Sequence, residues 1–182
     1  PSILEDTINY IPPRVKIEIS CLSMDEPTEL RQIRSLIGES FDGEDTDADS
    51  LARTVVPTRT FLEKLFLLAE EFQKEKPRSV RMSRHLYDLA KLMDTEYGVE
   101  ALSNRTLYDA IVEHRKAYYA LKYVNYDLHA PSTINFTIPE SVIGAWQDDY
   151  TDMKRFFIYG ESLEFEALMQ KMKELQERVK IL

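Results

Sequence analysis

With Cys21 as its one cysteine, the chain can form no internal disulfide. A lone cysteine beside a strand reads as a small packed hydrophobe rather than a nucleophile, and a reducing cytoplasm is the expected compartment. The three histidines, His85, His114 and His129, are scattered, and with one cysteine they give no zinc-ligand spacing. Five glycines form neither a glycine-rich phosphate loop nor a Gly-x-Ser-x-Gly elbow, which argues against a self-sufficient nucleotide-binding fold and a serine hydrolase. No apolar run approaches the roughly 20 residues needed to cross a bilayer, so no membrane partner is expected. The start, Pro1-Ser-Ile-Leu-Glu-Asp, has neither the basic nor the apolar region of a signal peptide and reads as a trimmed piece. Basic excess is also missing. A net charge of −9 speaks against a broad nucleic-acid-binding surface, although local basic patches occur at Lys74 to Arg84 and at Arg115-Lys116.

What is present is ordinary globular material, 43% hydrophobic and 30% charged, with enough length to bury a core. Val15, Ile17 and Ile19 alternate with Lys16, Glu18 and Ser20, which predicts a strand over 14–21 with Glu18 on its polar face. Leu30 to Phe41 suits a second strand or a short helix, with strand preferred. Asp42 to Asp49 is a loop by composition, and its carboxylates lack the spacing and closing glutamate of a calcium loop. Arg53 to Val56 suits a short strand ending at Pro57, after which Thr58 or Thr60 can cap a helix to about Lys74. Phe61, Leu65, Leu68 and Phe72 would share its buried face. Ser83 can cap the next helix, whose stripe is Leu86, Leu89, Ala90 and Met93, and Gly98 marks a stop or turn. Asn104 caps a third helix ending near Tyr123. Tyr126 to Thr137 reads as an extended connection, and two helices, over 141–157 and 164–179, close the chain. The expected fold is α+β and mostly helical, with a sheet region over 1–56 and about five helices over 57–182.

Several residues invite a functional reading. Glu18, isolated between Ile17 and Ile19, has the setting in which a sheet holds a carboxylate toward a hard cation, although a solvated strand carboxylate fits as well. Lys64 can lay its stem along apolar surface while its ammonium reaches a phosphate, or it can simply be solvated. Arg84 and Asp88, four residues apart, can form a surface ion pair worth roughly 0.3 to 0.5 kcal/mol. Alternatively, Arg81, Arg84 and His85 form a cationic lip for phosphates, with Asp88 holding one of them or a metal. Trp146, Tyr150, Phe156 and Phe157 read as core rather than as base-stacking residues.

Taken in order, Val15-Lys-Ile-Glu-Ile-Ser20, Pro57-Thr-Arg-Thr-Phe-Leu-Glu-Lys64, Arg81-Met-Ser-Arg-His-Leu-Tyr-Asp88, Ile111-Val-Glu-His-Arg-Lys-Ala-Tyr-Tyr119 and Asp149-Tyr-Thr-Asp-Met153 resemble the abortive-infection AbiEii/AbiGii family of nucleotidyltransferase-like toxins. The resemblance runs over nearly the whole chain. It implies a polymerase-β-like core in which carboxylates hold magnesium against a nucleoside triphosphate, an RNA or protein acceptor, and a cognate antitoxin in a bacterial cell. Under it Glu18 would be a catalytic and metal-binding carboxylate, Lys64 would contact the triphosphate, Asp88 would complete the catalytic site, and Arg81 and Arg84 would assist nucleotide binding. The family's first motif, a Gly-Ser turn followed by two acids on a strand, is absent, since none of the five glycines precedes a serine. The expectation is therefore that this chain alone is inactive and that the full-length protein extends upstream. The alternative is a non-catalytic helical interaction module or a decayed nucleotidyltransferase.

Overall fold

The computed structural model describes residues 17, 19, 28–41, 43 and 49–182. The expected first strand with Glu18, Cys21 and most of the acidic loop lie outside these residues. A hairpin comes first, β1 (Thr28–Arg34) paired antiparallel with β2 (Asp49–Val55), with Thr28 opposite Val55 and Arg34 opposite Asp49. The segment for which strand was preferred is thus divided. Its first part completes β1, and Leu36–Ser40 forms the short helix α1, capped by Ser35, whose hydroxyl accepts the Gly38 N–H. The hairpin reaches the helical body through Arg31, whose guanidinium donates to the Tyr97 hydroxyl at 3.0 Å.

Six helices follow: α2 (Pro57–Glu71), α3 (Ser83–Leu92), α4 (Glu96–Ala101), α5 (Arg105–His114), α6 (Ile143–Phe156) and α7 (Phe165–Lys180). The described fold is α+β and mostly helical, as expected. Helix α2 is the axis of the body. Phe61, Leu62, Leu65, Phe66 and Leu68 are all fully buried, so apolar side chains leave it on more than one face and it packs against α3, α4 and α5 together. The single stripe read from the sequence underestimates this. Neither expected threonine caps α2: Pro57 opens it, with its fixed φ and missing N–H suited to the first turn. The Thr58 hydroxyl instead donates to the Glu100 carboxylate on α4 at 3.0 Å.

Gly98 is a correction of another kind. It lies inside α4, where a Cβ would overlap the Leu92 carbonyl oxygen and the Met93 backbone, so it allows α4 to pack directly on the end of α3. Since those neighbours are backbone and cannot rotate away, Gly98→Ala is expected to destabilise the fold by about 2 kcal/mol, read as a lower urea midpoint at unchanged m-value.

Asn104 caps α5 as expected, its side chain accepting the Leu107 N–H at 2.9 Å. The helix does not run on to Tyr123. It widens into a π-turn over Arg115–Tyr119 and stops at Ala120, whose φ is +44°. The following connection is not extended from its start: Tyr126–His129 forms a 3-10 turn capped by Asn125, and only from Ile134 does the chain run on without helix or turn, burying Ile134, Phe136 and Ile138 at alternate positions. Gln176 on α7 fixes it, donating to the Ile134 carbonyl at 2.7 Å and accepting the Phe136 N–H at 3.3 Å.

Candidate functional site

The motif residues meet between α2 and α3. Lys64 leaves α2 at a position one residue before the buried Leu65, with its side chain 22% exposed, and its Nζ lies 2.7 Å from Asp88 Oδ2 on α3. The expected Arg84–Asp88 ion pair is replaced by this bridge between helices. Lys64, Arg84, His85, Tyr87 and Asp88 form one side of a cleft of 430 Å³. Its other side comes from the end of α6 and the loop beyond it, through Met153, Phe157, Ile158 and Tyr159. Phe157 is 53% exposed and therefore not the core residue expected, whereas Trp146 and Tyr150 are buried as expected.

Arg81 does not line the cleft. Its backbone adopts φ +59°, and its N–H is held by the carboxylate of Asp149. Asp149 Oδ2 also accepts from the Ser83 N–H at 3.0 Å and the Ser83 hydroxyl at 2.5 Å. Ser83 therefore receives no role as a cap of its own helix. A carboxylate from α6 instead satisfies the first donors of α3 and complements the positive end of its dipole. Because α3 carries Arg84, His85 and Asp88, Asp149 sets the position of that side of the cleft. Asp149→Ala leaves buried donors unpaired and is expected to cost about 2 to 3 kcal/mol, seen as a lower melting temperature together with weaker ligand binding in the cleft.

The electrostatics of the cleft differ from a simple cationic lip. Burial, reinforced by the charges of Lys64 and Arg84, lowers the His85 pKa to about 4, so its imidazole is neutral at pH 7. Two cations, Lys64 and Arg84, then face the cleft with one carboxylate, Asp88, which is already paired. Among the described residues no group of three or more His, Cys, Asp or Glu side chains is arranged to hold a metal ion. The described part of the cleft does not fit a magnesium site by itself, and Glu18 lies outside the described residues.

A second charged cluster joins α2 to the end of α5, and in the sequence only the motif containing Arg115 points to it. The Arg115 guanidinium, 4% exposed, donates to Glu70 Oε1 at 2.7 Å and to Glu70 Oε2 at 2.5 Å, and it also contacts Glu63. Arg59 reaches the same Glu63 at 2.8 Å, and the Arg115 guanidinium stacks over the Tyr119 ring at 4.5 Å. Arg115 opens the π-turn, which thereby joins α5 to α2 through a buried ion network. At the C-terminal end of α2, next to Glu70, the buried Glu71 carboxylate binds Lys74 and Arg78 and anchors the connection to α3.

No helix among the described residues is long and apolar enough to cross a membrane. A family model described as nucleotidyl transferase AbiEii toxin, type IV toxin–antitoxin system, matches residues 2–171. Comparisons with curated proteins and with solved structures find no match.

Proposed function

Since the chain belongs to the nucleotidyl transferase AbiEii toxin family of type IV toxin–antitoxin systems, we propose that the cleft between α2 and α3 binds the triphosphate of a nucleoside triphosphate, and that the full protein transfers the nucleotide to an RNA or protein acceptor. The observation that carries this reading is the convergence of Lys64, Arg84 and Asp88, from two helices, on one cleft. Lysine has three N–H donors, and Asp88 engages one of them, which leaves two for phosphate oxygens while the carboxylate holds the ammonium in place. Arg84 adds a second cation on the same side. Charge neutralisation by groups already in position is the main contribution a protein makes to phosphoryl and nucleotidyl transfer. Arg81, displaced from the lining, contributes through its backbone contact with Asp149.

Magnesium belongs to the proposal only through Glu18 together with carboxylates of the family's first motif, which this sequence lacks. The 182-residue chain is therefore proposed to bind nucleotide without transferring it. An antitoxin is the proposed protein partner, and the cytoplasm the proposed compartment. Calorimetric titration with each nucleoside triphosphate, alongside a transfer assay with labelled nucleotide, tests this. Binding without transfer is expected; absence of binding would overturn the reading of the cleft, and transfer by this chain would overturn the inactivity.

The reading as an interaction module keeps one specific support. The hairpin leaves Leu30 63% and Leu51 71% exposed. These two leucines share one face of the hairpin with Arg53, Gln32 and Arg34, a mixed apolar and charged surface that fits a protein contact, and it lies on a different element from the cleft, so binding of a partner there and of nucleotide between α2 and α3 are compatible.

A further inference from the structure

His85 has a feature that the triphosphate reading leaves unused. The residue is only 7% exposed, yet it lines the cleft between Lys64 and Arg84. Its Nδ1 is enclosed and has no hydrogen-bond partner among the described residues. Its Nε2 is not enclosed in this way and also takes no partner among them, so it is the nitrogen that the cleft can reach. A neutral imidazole carries one N–H and one acceptor nitrogen. Placing the proton on Nδ1 would bury a donor with nothing to accept it, at the expense of a lost hydrogen bond, whereas placing it on Nε2 offers a donor to the cleft. Burial favours this neutral state, and the neighbouring cations reinforce it, because protonation would set a third positive charge beside Lys64 and Arg84. A buried polar side chain without a partner lowers stability, and here the ring faces a cavity already lined by two cations.

We propose that His85 is a ligand-binding residue of this cleft, a neutral donor whose Nε2–H bonds an oxygen of the polyphosphate held by Lys64 and Arg84. The inference rests on the reading of the cleft as a triphosphate site and adds to it an uncharged donor. Such a donor gives direction to the bound phosphate chain, which the flexible, rotatable ammonium of a lysine does poorly. It also distinguishes a ligand role from a packing role. A histidine kept only for packing would leave affinity unchanged when replaced by an apolar side chain of similar size, while one kept for a ligand would lose affinity and retain or gain stability.

The test is calorimetric titration of inorganic tripolyphosphate and of ATP into the wild-type chain, His85→Leu, His85→Gln and Lys64→Ala, with melting temperatures for each. Expected are a loss of affinity of roughly 10-fold or more for both ligands in His85→Leu, from one hydrogen bond to a charged group, and recovery to within about threefold in His85→Gln, whose amide nitrogen can replace Nε2. The melting temperature of His85→Leu should equal or exceed that of the wild type. In case the leucine variant folds poorly, nitrogen-15 spectra of the wild-type imidazoles provide a second readout: the His85 Nε2 signal should be that of a protonated nitrogen in a neutral ring and should move when tripolyphosphate is added. An unmoved Nε2 signal, or unchanged affinity in a folded His85→Leu, would overturn the role of His85. If Lys64→Ala loses affinity while His85→Leu does not, only this inference falls. If the wild type binds neither ligand, the triphosphate reading falls and takes this inference with it.

Discussion

Replacing Lys64 with alanine is expected to weaken nucleoside triphosphate binding by roughly 100-fold while leaving the melting temperature almost unchanged. The two effects separate because the bridge from Lys64 to Asp88, with side chains 22% and 35% exposed, operates partly in solvent. Pairs of that kind contribute about 0 to 1 kcal/mol to folding. Against a bound triphosphate the same ammonium would face several anionic oxygens, and each charge-assisted hydrogen bond is worth about 1.5 to 3 kcal/mol. The loss should also shrink as salt is raised, because it is electrostatic and the cleft is open to ions. Calorimetric titration and a thermal melt on the same two proteins check both halves of the expectation. A variant that melts well below the wild type would show that Lys64 is structural, and equal affinities would remove it from the site.

The buried network around Arg115 is expected to respond in the opposite sense. Arg115→Ala leaves the carboxylate of Glu70, itself 3% exposed, without its main counter-charge. Removing one partner of a buried pair typically costs about 3 to 5 kcal/mol, because the remaining charge stays desolvated. For a chain of this length that corresponds to a fall in melting temperature of about 6 to 20 °C, since each kcal/mol shifts it by roughly 2 to 4 °C. The network also makes a prediction about acid. Burial opposes ionisation of Glu70, but the hydrogen bonds and charge of the Arg115 guanidinium outweigh it, and the folded-state pKa lies below the ordinary 4.5. A carboxylate with a lowered pKa binds protons more readily when unfolded, so its stabilisation is present above about pH 4.5 and is lost as the pH falls through the folded-state value. Acid unfolding should therefore be less steep in Arg115→Ala than in the wild type, measured by urea midpoints between neutral and acid pH.

Both expectations concern residues quoted in motifs of the sequence, yet only one could be assigned a role there. Lys64 was legible because resemblance to a family marks it and because its neighbours on α2 are apolar, which leaves its direction limited. In the sequence Arg115 is part of a basic patch in a helix. Nothing within a few residues of it carries a negative charge except Glu113, and its partners Glu63 and Glu70 stand 52 and 45 positions away. The same limit applies to Ser83, which has the composition of a helix cap but is bound by Asp149, 66 residues on. Arg81 was drawn toward the phosphates by the resemblance, and its backbone contact with that carboxylate could not be read locally.

The amino-acid sequence alone determined the helical character of residues 57–182, the cap at Asn104, the buried stripe of α3 and, through the family resemblance, Lys64, Arg84 and Asp88 as candidate site residues. Periodicity, capping and motif spacing are properties of neighbouring residues, and they survive in a linear reading. The tertiary structure decided the rest: that α2 is enclosed by three other helices, that Gly98 is a contact rather than a stop, that Phe157 and Tyr159 form the second side of the cleft, and that His85 is neutral. Each of these depends on desolvation or on pairing between segments distant in the chain, and neither exists until the helices have packed.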